Sequence, residues 1–174
     1  MSLSPDPARR REIWVGDFKP VEAREYLAKM NTRRGNRGEP ELSQEEIELV
    51  LERVGSRPAD LYDIMTSSVS VKEWVENCTI KKRERLQALL EAAPEYAPLL
   101  RALAEKGSLS TADVMRMLHR PIKQIAEVAG AQHHVISVNP VNSTVQLHGL
   151  AMAQVVKEEM KARSERSWVP RWLQ

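Results

Sequence analysis

The residues best suited to chemistry in this 174-residue chain form the short turn Gly55-Ser56-Arg57-Pro58. Glycine lets another group approach the backbone closely, proline fixes a turn, and a guanidinium group binds phosphate through paired hydrogen bonds. Gly55, Arg57 and Pro58 are therefore candidate contacts to an anionic ligand. The same residues also suit an ordinary connection between helices, and the sequence alone leaves both interpretations open.

The other reactive side chains form no catalytic or metal-binding pattern. The seven glycines do not fit G-x-x-x-x-G-K-[ST] or G-x-G-x-x-G, and no Ser-His-Asp set or carboxylate pair stands out. The four histidines lack the spacing of a zinc site, and the single cysteine, Cys78, forms no disulfide framework. We expect no catalytic residue, no metal site and no enzyme activity from this chain alone.

Composition favours a helical globular protein. Apolar residues make up 42% of the chain and charged residues 29%, but aromatic residues only 5%, so the core must consist mainly of aliphatic side chains and methionine. The net charge is +2, and no segment has the charge of a dedicated nucleic-acid binder. The sequence contains neither an apolar run of membrane-spanning length nor a secretory signal. We expect a soluble intracellular protein, in the cytoplasm or inside an organelle.

Turn-forming residues divide the chain into four segments. Residues 1–17 form an N-terminal extension, and its short apolar stretch suits the last strand of a parallel sheet formed upstream. Residues 18–93 predict a helical bundle, residues 94–166 a winged-helix-like domain, and residues 167–174 a tail with two tryptophans. The predicted fold class is mainly α, with a small two-stranded β-hairpin in the winged helix.

Local signals place the elements of the bundle. Ser43 and Ser70 each begin an S-x-x-E capping box, which satisfies free amide groups at a helix start. Residues 31–40 are rich in glycine and asparagine and predict a basic loop. Residues 71–93 predict one long helix or two joined helices, and the charge run at residues 80–85 predicts a solvated face.

The second domain has the helix and strand order of a winged helix. Ser110-Thr111-Ala112-Asp113 is a further capping box, and Pro121 opens a third helix that is predicted to end at Gly130. Two β-favouring runs, residues 135–138 and 144–147, flank a turn-forming sequence. This pattern predicts a hairpin whose turn is the wing.

Basic and amide side chains make nucleic-acid binding an alternative function. The candidate contacts are Arg33, Arg34 and Arg37 in the predicted loop, and Arg120, Lys123 and Gln124 at the third helix of the winged helix. Phosphate-driven affinity needs several unopposed cations, whereas the outward face of that helix carries one cation and one acid. A protein-docking or structural role is therefore the favoured interpretation of the winged helix.

Aromatic residues near both ends of the chain are candidate contacts to a protein partner. They are Trp14, Phe18, Trp168 and Trp172. Apolar side chains at chain ends either fold back onto the body or bind a groove on a partner.

Short sequence stretches resemble the helical lid of AAA+/STAND-type P-loop ATPases. They are Gly16-Asp17-Phe18, Glu22-Ala23-Arg24-Glu25-Tyr26-Leu27, Glu45-Glu46-Ile47 and Val54-Gly55-Ser56-Arg57-Pro58-Ala59-Asp60-Leu61. Chains of that family commonly run from a P-loop core through a helical lid to a winged helix. The resemblance covers about residues 12–165, and the mitochondrial escape protein family, which also carries a Gly-x-Arg-x-x-Asp-Leu segment, is one branch to which the chain is similar.

The resemblance implies roles for the turn residues. It implies that the Gly-x-x-Pro turn approaches the adenine of a nucleotide, and that an arginine near the lid helix senses the terminal phosphates; Gly55, Arg57 and Pro58 are the matching positions. The chain departs from the family because it lacks the Walker A lysine, the Walker B strand and a phosphate-cradling loop. ATP or ADP is thus implied for a parent protein, and we expect neither to bind this chain alone.

Together these features predict the non-catalytic lid and winged-helix portion of a P-loop ATPase. We expect a C-terminal fragment that couples nucleotide state to contacts with its upstream core, a neighbouring subunit or another protein. A stand-alone protein-interaction adaptor is the first alternative, and a winged-helix nucleic-acid-binding module is the second.

Overall fold

The fold is mainly helical with a small antiparallel sheet, as predicted. The structure is a computed structural model that describes the backbone of residues 17–167 and the side chains of residues 17–163. Its buried apolar side chains form two clusters, one between Ala23 and Val71 and the other between Leu86 and Met160. The predicted boundary between residues 93 and 94 stays a prediction.

Serine caps begin two helices of the first half, and prolines begin the other two. Both arms of the predicted box are present at Ser43, whose Oγ accepts from the Glu46 amide at 3.2 Å while its own amide donates to Glu46 Oε2 at 2.8 Å. Ser70 Oγ accepts from the Glu73 amide at 3.3 Å. The helices are α1 (Pro20–Asn36), α2 (Gln44–Arg53), α3 (Pro58–Thr66) and α4 (Val71–Ala92).

Two predictions for this half were wrong. The loop predicted over residues 31–40 is helical as far as Asn36, because the Asn31 side chain pairs with both backbone groups of Leu42 (2.7 and 2.9 Å) and holds the next segment against α1. The charge run at residues 80–85 is not entirely solvated either. Lys82 is only 6% exposed, because it lies on the side of α4 that faces Asp60 of α3.

In the second half of the described chain, helices alternate with three short strands, and a final helix follows the hairpin. A 3-10 turn (Pro94–Tyr96) leads into the next α-helix, and three strands pair antiparallel, with the last of them along the chain in the middle of the sheet. The short helix Ile122–Ile125 continues as a π-helix over Ala126–Gln132. The elements are α5 (Ala97–Lys106), β1 (Ser108–Ser110), α6 (Thr111–Leu118), α7 (Ile122–Ile125), β2 (Ile136–Asn139), β3 (Thr144–Leu147) and α8 (Leu150–Ser167).

The sheet and the third helix differ in detail from the predictions. The predicted hairpin is present, but Ser108–Ser110 adds a third strand, so the sheet is not two-stranded. Its middle residue, Leu109, is buried and pairs with Val145, which is why such a short segment becomes a strand. The helical turns predicted to end at Gly130 continue to Gln132.

Helices from the first half position the start of α8. The α8 helix packs against α4, with Arg83 Nη2 3.0 Å from Glu158 Oε2. It also contacts α2, where Gln154 Nε2 donates to the Glu52 carbonyl oxygen at 3.1 Å. The beginning of α8 is therefore held next to the turn between α2 and α3.

Candidate functional site at the Gly55 turn

The Gly55 turn, residues 55–58, connects α2 to α3 with the conformation that its sequence predicts. Gly55 is buried with φ +94°, a left-handed conformation that favours glycine, and its amide donates to the Val50 carbonyl oxygen at 3.2 Å. Arg57 is extended (φ −72°, ψ 124°), and Pro58 is the first residue of α3. The turn therefore redirects the chain within two residues.

Different parts of the chain hold this turn on two sides. On one side the Phe18 amide donates to the Ser56 carbonyl oxygen at 2.9 Å, and Ser56 Oγ donates to the Phe18 carbonyl oxygen at 2.7 Å. On the other side a Cβ placed on Gly55 would lie 2.8 Å from Leu150 Cβ, closer than side-chain carbons approach each other. Only glycine lets the first residue of α8 pack so closely against the turn.

A mainly apolar cavity of about 580 Å³ lies next to the turn. Gly55 and Ser56 line it, but Arg57 and Pro58 are not among its lining residues. At its rim Arg24 Nη2 lies 2.8 Å from Glu48 Oε2, and this pair raises the pKa of Arg24 and lowers the pKa of Glu48. The remaining lining residues are Asp17, Pro20, Leu51, Glu52 and Leu150.

His148, two positions before Leu150, lies in a cationic environment. Burial, reinforced mainly by the nearby Arg57 and Lys82, lowers the pKa of His148 to about 4. The ring is therefore neutral at pH 7, and its Nδ1 lies 2.9 Å from Ser137 Oγ. Arg57 makes no ion pair with any described residue, so its guanidinium group is available to an anion.

Sequence reasoning missed Leu150 and His148 as neighbours of the turn. Both follow the hairpin and lie more than 90 positions from Gly55 along the chain. The hairpin register places His148 near Ser137, and this neighbour could have been predicted by pairing the two expected strands. No local pattern shows that α2, α3 and α4 come together at this point.

Three of the six candidate nucleic-acid contacts form ion pairs or buried hydrogen bonds within the protein. Arg34 is buried, and its Nη1 donates to the Met65 carbonyl oxygen at 2.8 Å. Arg37 Nε lies 3.0 Å from Glu39 Oε1, and Arg120 Nη2 lies 2.7 Å from Glu95 Oε1. Arg33 is exposed and lies on α1, whereas the exposed Lys123 and Gln124 lie on α7. The described residues thus offer a weak electrostatic surface for nucleic acid.

Of the candidate docking residues, only Phe18 falls in the part of the chain that the structure describes. It is half-buried, and its ring lies 5.5 Å from that of Tyr26 in the first cluster. Trp14, Trp168 and Trp172 lie outside the described residues.

Neither a metal centre nor a membrane span is present in the described part of the chain. Among the described side chains of residues 17–163, no three His, Cys, Asp or Glu residues are grouped so as to hold a metal ion. None of the helices there combines the length and the apolar character needed to cross a bilayer.

Comparisons of the chain with family models, with curated proteins and with solved structures found no match in any of the three. The resemblance to an ATPase lid therefore depends on the sequence stretches named above alone.

Proposed function

We propose that this chain is the non-catalytic lid and winged-helix portion of a P-loop ATPase. In this role it couples the nucleotide state of an upstream core to contacts with a protein partner or a neighbouring subunit. The observation that carries the proposal is the position of the Gly55 turn, which is hydrogen-bonded to Phe18 and packed against Leu150.

This position suits the transmission of movement. In an ATPase with the proposed domain order, the chain leaves the core just before Phe18, so a shift of the core pulls directly on Ser56 through two hydrogen bonds. Because Gly55 contacts Leu150 without an intervening side chain, the start of α8 has to follow the turn. Small displacements at a nucleotide site are commonly amplified in this way into domain rotations.

The charges around the turn suit a nucleotide phosphate. The unpaired Arg57 and the neutral His148 come from opposite halves of the chain and lie close enough for Arg57 to depress the pKa of His148. A phosphate next to Arg57 would accept charge-assisted hydrogen bonds from its guanidinium group. A bound nucleotide would then contact groups from both halves of the chain at once.

The test begins with the size of the endogenous protein, measured by immunoblot of source-cell extract with an antibody against this chain. The proposal expects a band larger by at least one domain, roughly 100–200 residues, and a P-loop in the sequence of the added portion. A band at the size of this chain would contradict the ATPase proposal and favour the stand-alone adaptor, whose partner would then be sought by pull-down.

Nucleotide affinity of the longer protein supplies the second test. Arg57→Gln removes the proposed phosphate contact and is expected to weaken ATP binding about tenfold or more. Lys72→Gln is the matched control, because Lys72 is an exposed cation on α4 outside the turn. Equal affinity of both variants for ATP would remove Arg57 from the phosphate site.

A further inference from the structure

A second cavity, of about 400 Å³, lies between α3 and α4 and is distinct from the apolar cavity at the Gly55 turn. Its α4 side is a stripe of side chains at helical spacing: Trp74, Asn77, Cys78, Lys81, Lys82 and Arg85. One end of the stripe is therefore aromatic, and the other end carries three cations.

Lys82 is the unusual member of this stripe. It is only 6% exposed, yet it lines the cavity, and its Nζ lies 3.7 Å from Asp60 Oδ2, which is beyond hydrogen-bonding distance. Asp60 Oδ2 is itself buried without a hydrogen-bond partner among the described residues. An ammonium group has three donors, so Lys82, whose partners are Asp60 and the Cys78 thiol, retains a donor for another acceptor.

Asp60 opposes the charge of Lys82, but two further cations line the cavity. Burial raises the pKa of Cys78, so at pH 7 the thiol next to Lys82 is protonated and provides no negative charge. Lys81 and Arg85 make no ion pair with any described residue, and Asp63 is the one acidic residue among those that line the cavity. The cavity therefore has a net positive lining around a desolvated lysine.

We propose that the cavity between α3 and α4 binds the phosphate group of a small molecule, with Lys82 at its base and Lys81 and Arg85 at its rim. Ammonium and guanidinium groups are the usual protein ligands of phosphate. The volume of about 400 Å³ falls in the range of small-molecule sites. Such a site would exist whether or not an ATPase core is attached to the chain.

The recessed position of Lys82 favours a small ligand over a nucleic-acid backbone. A phosphodiester chain binds along exposed cations, whereas a lysine that is 6% exposed is reached only by a group that enters the cavity. Trp74 and Val69 provide apolar surface next to the cations. That surface suits the organic part of a phosphate ester.

The test is isothermal titration calorimetry of the whole chain with two probes, inorganic phosphate and adenosine 5′-monophosphate. Saturable binding of either probe is expected. The double variant Lys81→Gln/Arg85→Gln should weaken it about tenfold or more, because it removes two charge-assisted contacts from exposed positions where the fold does not depend on them. Lys72→Gln, a cation on the same helix outside the cavity, should bind like the wild type.

The two probes distinguish the sources of the phosphate. Equal affinity would support a site for free phosphate, and tighter binding of the nucleotide would support a phosphate ester whose organic part contacts Trp74. Lys82→Met should abolish binding of both probes, with the retained fold checked by circular dichroism. The proposal is overturned if neither probe binds at millimolar concentration, or if Lys81→Gln/Arg85→Gln binds as tightly as the wild type.

Discussion

Replacing Gly55 with alanine tests whether the turn is held by close packing against α8. Alanine at φ +94° incurs the steric penalty of the left-handed region, about 1–2 kcal/mol. Its Cβ would also lie 2.8 Å from Leu150 Cβ, and relieving such a contact in a packed site costs about 1–3 kcal/mol. The expected loss in the free energy of unfolding is therefore about 2–5 kcal/mol.

Gly38→Ala is the matched control for the backbone contribution. Gly38 also has a positive φ, +73°, but no atom lies within 4 Å of the position its Cβ would take. Gly38→Ala should therefore lower the free energy of unfolding only by the steric penalty of the left-handed backbone, about 1–2 kcal/mol. Urea unfolding followed by circular dichroism measures both variants. With an m-value of about 2 kcal/mol per molar, an extra loss of about 2 kcal/mol lowers the midpoint by about 1 M.

A double-mutant cycle identifies the contact itself. Leu150→Gly removes the Cβ that an alanine at position 55 would meet, at the first position of α8, where helix propensity matters little. If the contact is responsible, Gly55→Ala should be less destabilising in the Leu150→Gly background by about 1–2 kcal/mol. Equal losses for Gly55→Ala and Gly38→Ala, together with a cycle that shows no coupling, would refute close packing as the reason for glycine at this position.

Three further changes test other parts of the structure. As pH falls from 6.5 towards 4, His148 takes up a proton in the unfolded chain but stays neutral in the folded one. The free energy of unfolding should therefore fall between pH 7 and pH 5. The expected loss is on the order of 1 kcal/mol once the partial exposure of the ring is taken into account. His148→Asn should reduce this pH dependence in urea unfolding, and an unchanged loss would contradict the assignment. Arg34→Ala should lower the free energy of unfolding by about 3 kcal/mol, because it leaves the buried Met65 carbonyl oxygen without its donor. Arg33→Ala is the control, because Arg33 is the exposed neighbour of Arg34, and its free energy of unfolding should stay within about 0.5 kcal/mol of the wild type. Ser43→Ala removes a helix cap and should lower the free energy of unfolding by about 1 kcal/mol, measured as a lower thermal midpoint. Ser68 is exposed and caps no described helix, so Ser68→Ala should have little effect.

Features determined by neighbouring residues were predictable from the sequence. The helix starts at Ser43, Ser70 and Ser110 follow from capping, which acts over three residues. The turn between α2 and α3 follows from the conformational limits of Gly55 and Pro58. The hairpin was equally accessible, because β-favouring runs flank a turn-forming sequence.

Features that depend on distant contacts were missed. The β1 strand exists because Leu109 pairs with Val145, 36 positions along the chain, and nothing near residue 109 indicates a partner. The last turns of α1 depend on the pairing of Asn31 with Leu42. In the same way, Gly55 was identified as a candidate residue, but its contact with Leu150 depends on how α8 returns to the turn.

The long helix α4 connects the two halves in a way that constrains the proposed mechanism. Its first residue, Val71, is buried in the first cluster, whereas Leu86, Leu89 and Leu90 near its end are buried in the second. A hinge at residues 93–94 would leave those three leucines with the first half and pull them out of the core of the second. In the proposed ATPase, the helical bundle and the winged helix would therefore turn against the upstream core as one body. Movement would then occur between the upstream core and this chain, transmitted through the hydrogen bonds of Phe18 with Ser56, rather than between the two halves.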